Sequence, residues 1–184
     1  MRRRDVRRAD SAQAVSRASA GGLLSRRLRA GVLALGLSAG LAFTSAAPAS
    51  AARSIGTDFL RNWATGLCLD SSDGGESGRG FVYTNPCTQG NDYQTWSVEF
   101  QGHDTYDQVK IRNKATGLCL SRTFGLSTLS CGDPNTEWDG VGSDWSRVEL
   151  RAPGAGQCLD SDSNGSAYVL GCNGGGNQKW KLGY

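Results

Sequence analysis

Apolar positions over most of this chain come in short β-rich or alternating runs: Phe81-Val82-Tyr83, Thr95 to Phe100, Val109-Lys110-Ile111 and Tyr168-Val169-Leu170. Gly, Asn, Asp and Ser turn residues separate them, the pattern of short strands joined by tight turns. No stretch sustains the 3.6-residue period of an amphipathic helix. The pattern predicts an all-β domain. Residues 1–51 differ: an Arg-rich opening leads into the continuous apolar run Ala30-Gly31-Val32-Leu33-Ala34-Leu35-Gly36-Leu37, followed by Ala49-Ser50-Ala51. A basic start, an apolar centre and an A-x-A site define a secretory signal peptide. A membrane anchor is the alternative, but small residues from Ser38 to Ala52 dilute the run below the ~20 residues a spanning helix needs. Ser25-Arg26-Arg27 hints at twin-arginine export, although Arg29 stands where that signal has an apolar residue.

The remainder, residues 52–184, repeats itself. Arg61-Asn-Trp-Ala-Thr-Gly-Leu-Cys-Leu-Asp70 matches Arg112-Asn-Lys-Ala-Thr-Gly-Leu-Cys-Leu-Ser121 at eight of ten positions. Arg151-Ala-Pro-Gly-Ala-Gly-Gln-Cys-Leu-Asp160 is a weaker third copy. Each copy runs on to a second cysteine and a tryptophan: Cys87 and Trp96, Cys131 and Trp145, Cys172 and Trp180. Three units, at about 54–103, 104–148 and 149–184, are each too short to bury a core alone and must share one. Two end in Gln-x-Trp, as Gln94-Thr95-Trp96 and Gln178-Lys179-Trp180. In a strand, residues two apart face the same way, so glutamine and tryptophan both point inward. A buried amide then needs partners, and the backbone of the adjoining loop is the expected one. The middle unit reads Ser143-Asp144-Trp145, keeping the core tryptophan and losing the glutamine.

Cysteine content turns the repeat into covalent structure. All six cysteines lie beyond the leader, an even number suited to an oxidising compartment. The repeat selects Cys68 with Cys87, Cys119 with Cys131 and Cys158 with Cys172, short loops whose closure contributes about 3 kcal/mol each. Zinc has no C-x-x-C pair to use, and His103 is the sole histidine. Charge changes sign with the leader: nine of the 20 basic and two of the 17 acidic residues lie in 1–51, leaving 11 against 15. The basic balance that would suggest nucleic acid or an anionic membrane therefore belongs to the leader, and neither partner is expected.

The C-L-D segments, paired cysteines and Q-x-W endings resemble the ricin-type β-trefoil lectins over about residues 54–184. That resemblance implies a pseudo-threefold β-trefoil with three disulfide-closed repeats, acting as a secreted monomer that binds glycans or polysaccharide at shallow sites. Val82-Tyr83-Thr84-x-Pro86-Cys87 with Tyr93-Gln94-x-Trp96 is similar to actinohivin-like members, which implies mannose-containing glycans.

Repetition also singles out a candidate site. Asp70 and Tyr83 hold the same offsets from the first and second cysteines of their unit as Asp160 and Tyr168 do from theirs. A carboxylate accepts charge-assisted bonds from adjacent sugar hydroxyls, and a ring packs on the sugar's C–H face. The resemblance implies two further contributors per site, at Thr88 and Tyr93 and at Asn173 and Asn177; Tyr93 and Asn173 keep the expected residue type. The middle unit has Ser121 and Ser127 instead, so its site is expected to be inactive. Asn85 and Leu170 stand where many galactose- and xylan-binding relatives carry a stacking ring. The alternative for Asp70 and Asp160 is an Asx-turn within Asp-Ser-Ser-Asp-Gly or Asp-Ser-Asp-Ser-Asn-Gly. Asp160-x-Asp162-x-Asn164-Gly165 also imitates a calcium loop, but Gly171 occupies its twelfth position. No metal, cofactor or catalytic residue is expected: the cysteines are committed, His103 reads as an exposed turn, and a threefold shell lacks the deep cleft of a glycosidase. The competing function is a protein-binding trefoil, such as a hydrolase inhibitor, using the Gly132 to Asp144 loop with Trp138 exposed upon it.

Overall fold

A computed structural model describes residues 53–184; the expected signal peptide lies outside them. Twelve strands fall into three successive groups of four. The first contains β1 (Arg53–Asn62), β2 (Cys68–Ser71), β3 (Gly80–Asn85) and β4 (Thr95–His103). The second contains β5 (Asp107–Asn113), β6 (Cys119–Ser121), β7 (Ser127–Leu129) and β8 (Glu137–Val141). The third contains β9 (Glu149–Arg151), β10 (Gln157–Ser161), β11 (Ala167–Gly171) and β12 (Trp180–Leu182). The outer strands of each group form a barrel in the order β1, β4, β5, β8, β9, β12. It closes where β12 pairs with β1 and where Val148 and Trp180 exchange two 2.8 Å backbone bonds. Closure removes the open edges that would otherwise invite pairing with other chains. The inner strands are hairpins, β2–β3, β6–β7 and β10–β11, each stapled at its base by the disulfide expected from the repeat. This is a β-trefoil.

Alternation builds the core. Along β5, Val109, Ile111 and Asn113 are buried while the residues between them are partly exposed. Leu60, Leu69, Val98, Leu120, Leu150 and Leu159 join them around three fully buried tryptophans, which supply area that the Gly-rich units lack. Each indole donates to the carbonyl of the leucine after its unit's first cysteine: Trp96 to Leu69 at 2.9 Å, Trp138 to Leu120 at 2.9 Å and Trp180 to Leu159 at 3.0 Å.

The middle unit thus corrects the sequence reading. Its core tryptophan is Trp138, and the triplet that carries it is Thr136-Glu137-Trp138. Trp145 is only partly buried, packed against the outside of the core. Thr136 occupies the glutamine position and meets its own needs locally, its hydroxyl donating to Asp133 O at 2.6 Å. Burial of Trp138 also takes away the exposed aromatic on which a protein-binding middle loop was expected to rest.

Candidate functional site

In the first unit Asp70 and Tyr83 are direct cross-strand partners on the β2–β3 hairpin, and Asp160 and Tyr168 hold the same relation on β10–β11. The shared cysteine offsets therefore measure hairpin register. Each aspartate is buried, at 4 % and 3 % exposure, a costly place for a carboxylate unless its oxygens are bonded. Gln94 Nε2 donates to Asp70 Oδ2 at 3.0 Å, and Gln178 Nε2 donates to Asp160 Oδ2 at 2.8 Å. The rest of each glutamine binds backbone as expected. Gln94 donates to Pro86 O and accepts from Thr88 N; Gln178 donates to Gly171 O and accepts from Asn173 N. The Gln-x-Trp glutamine is a clamp that joins the site carboxylate to the loop closing over it. Among the described residues Oδ1 of each aspartate has no hydrogen-bond partner.

Asp70, Ser71, Ser72, Asp73, Tyr83, Asn91 and Tyr93 line an open cleft of about 360 Å³. Tyr93 keeps its ring 39 % exposed at the rim. Burial, and then the Asp70 carboxylate, push the Tyr83 phenol above its ordinary pKa. Burial, and then Asp160 and Asp162, do the same to Tyr168. Both phenols are therefore neutral donors at physiological pH. Asn85 strengthens the first clamp, its Nδ2 lying 3.2 Å from Asp70 Oδ2, whereas Leu170 at the matching place is an exposed apolar residue.

In the third unit the asparagines serve the loop. Asn177 Nδ2 donates to Ser161 O at 2.6 Å, and Asn173 Oδ1 accepts from Gly175 N at 2.7 Å. These polar atoms of the two asparagines hold the loop, and neither bonds Asp160. The Asx-turns fall on neighbouring aspartates: Asp73 Oδ1 accepts from Gly75 N, and Asp162 Oδ1 accepts from Asn164 N and Ser166 N. Asp70 and Asp160 are not needed for them.

In the middle unit Ser121 pairs with Ser127, Ser121 Oγ accepts from Thr123 N, and Ser127 Oγ donates to Thr123 O. No carboxylate is present, and the glutamine that would hold one is also missing. His103 lies at the end of β4 with Nδ1 2.9 Å from Asp107 Oδ1, an exposed pair that closes the β4–β5 hairpin.

Sequence reasoning missed the clamp itself, together with Asn91, Ser72 and Asp73. The signal for the clamp was present, since aspartate and glutamine occur together in two units and vanish together in the third.

A threefold barrel capped by hairpins, with carboxylate and ring paired on two of them, defines a trefoil of the lectin kind. The family model for the ricin-type beta-trefoil lectin domain matches residues 56–180, and the chain belongs to that family of carbohydrate-binding domains. Similar solved structures include a designed threefold-symmetric protein, ThreeFoil, at 24% identity and TM-score 0.57, covering 68% of this chain and 96% of that one. The hemolytic lectin CEL-III is similar at 22% identity and TM-score 0.59 over 72% of this chain, which spans only 31% of CEL-III. A Macrolepiota procera ricin B-like lectin, solved in complex with lactose, is similar at 19% identity and TM-score 0.55, covering 73% and 99%. At these identities the likeness is one of fold. Comparison with curated proteins finds no match.

Proposed function

We propose that the chain is an exported lectin that binds neutral glycans or polysaccharide through the first and third hairpins, with no catalytic step of its own. One observation carries this reading. In both units a buried glutamine fixes one oxygen of an aspartate and leaves the other without a partner beside a neutral tyrosine. Such a carboxylate is preorganised to accept from two adjacent hydroxyls, and charge-assisted bonds of this kind are the strong ones. Holding it by the protein avoids an ordering cost on binding.

Shallow sites of this size bind weakly, and ~1 mM corresponds to about −4 kcal/mol. Two of them on one rigid scaffold gain ~10²- to 10⁴-fold on a multivalent glycan whose spacing matches. The middle hairpin contributes scaffold alone.

A glycan array that includes mannose-, galactose- and xylose-containing oligosaccharides, probed with the oxidised domain, tests the reading. The expected result is binding of neutral glycans that weakens in Asp70→Asn and in Asp160→Asn and disappears in the double variant. Binding that survives in the double variant would remove both hairpins from the site.

A further inference from the structure

Threefold repetition makes exceptions visible, and one lies on the barrel wall, away from the hairpin sites. Arg61, Arg112 and Arg151 open the three repeats. Arg112 Nε is 2.7 Å from Glu99, and Arg151 Nη2 is 2.6 Å from Glu149. Arg61 makes no ion pair among the described residues. Its direct cross-strand partner on β12 is Lys181, where Arg112 faces Ser97 and Arg151 faces Asp139. Gly183 follows Trp180 at the spacing at which Glu99 follows Trp96, so that position carries no acid of its own, and a carboxylate nearby is that of Asp58, whose Oδ2 lies 4.0 Å from where a Gly183 Cβ would sit.

Like charges directly opposite on a sheet destabilise it. Arg147 lies nearby, 4.3 Å over the ring of Trp63, and so covers one face of that indole. Arg61 and Lys181 face each other on a domain, residues 52–184, that carries more acidic than basic residues. Arg61, Asn62, Trp63, Gly66 and Lys181 enclose a concavity of about 210 Å³, and Trp63 remains 54 % exposed.

We propose that this concavity binds an acidic saccharide, a hexuronate unit of a polysaccharide. Arg61 spends Nε on Gly66 O, its guanidinium lies 5.7 Å from the centroid of the Tyr184 ring, and its terminal N–H groups remain for a carboxylate. Lys181 already donates one N–H to an oxygen of Tyr184, the last residue of the sequence, and has two N–H groups left for a ligand. Trp63, 54 % exposed with Arg147 over one face of its indole, supplies an apolar surface for the sugar ring, as aromatic side chains do at amphipathic ligands. Partner chemistry is thereby fixed as anionic at one end and apolar along one face, which a free phosphate does not satisfy.

Titration of the oxidised protein with trigalacturonate and with its neutral counterpart, galactotriose, tests the assignment. At low ionic strength trigalacturonate is expected to bind at least tenfold tighter than galactotriose at this site, and to weaken with added salt. Lys181→Glu and Trp63→Ala each abolish that preference. Lys181→Glu also places a carboxylate opposite Arg61, so its thermal midpoint is maintained or raised and lost binding cannot be lost folding. The Asp70→Asn/Asp160→Asn double variant retains uronate binding, which separates this site from the hairpins whatever becomes of them. The proposal is overturned by equal affinity for the two trisaccharides, by a preference unchanged in Lys181→Glu and Trp63→Ala, by a lower midpoint in Lys181→Glu, or by uronate binding lost in the hairpin double variant.

Discussion

Trp138 and Trp145 lie seven residues apart and do different work. Trp138 is fully buried with its indole bonded to Leu120 O, whereas Trp145 rests against the outside of the core. Trp138→Ala is expected to cost about 3–5 kcal/mol, the range for a large aromatic truncated in a packed interior. Trp145→Ala should cost less than half of that, and urea unfolding of the two variants compares them directly. Glutamine carries the other lesson at this scale. Its burial was legible from the two-residue spacing to tryptophan, but its bond to the aspartate was not, because that contact joins residues 24 positions apart in the first unit and 18 in the third. Spacing to the tryptophan gave the inward direction although neither glutamine lies within a strand, Gln94 preceding β4 and Gln178 ending a 3-10 turn ahead of β12. It does not report which distant side chain waits there.

At the scale of elements, hairpin register was readable because the same offsets recur in two units and both cysteines of each unit are tied together. The middle unit misled for a physical reason. Thr136 replaces the glutamine and its loop from Cys131 is shorter, so the Gln-x-Trp marker disappears and the later Trp145 takes its place in the reading. Another element-scale device, the ion cluster on β9, left no sequence signature. Glu149 is 2 % exposed and bonds both Lys179 and Arg151 at 2.6 Å. Burial pushes its pKa up, but the bonds from Lys179 and Arg151 outweigh burial and hold it below the ordinary carboxylate value. A depressed folded value means that Glu149 stabilises the fold above the unfolded pKa of about 4.3, and that this contribution is lost as pH falls through the folded value. Thermal midpoints measured from pH 6 to pH 2 should therefore fall more steeply for the wild type than for Glu149→Gln. Parallel curves would show that the cluster does not couple protonation to folding.

For the whole molecule, three units share one core and are closed by the Val148 and Trp180 bridge, so the scaffold is threefold while the hairpin side chains are not. Two hairpins carry the aspartate, its glutamine clamp and the tyrosine; the middle one carries serines and threonine at those places. Threefold architecture was legible because the repeat is written into the chain. The inequality of its three faces was legible only where charge or ring is missing outright. In the proposed function, rigid spacing between two weak sites is what turns this asymmetry into a property of the molecule, since avidity depends on that spacing and not on either site alone. Isothermal titration with a monovalent neutral oligosaccharide, chosen from the array, tests this most directly by its stoichiometry. The account predicts two sugars per chain for the wild type, one for Asp70→Asn, one for Asp160→Asn and none for the double variant. A stoichiometry of three, or one that is unchanged by either substitution, would contradict it.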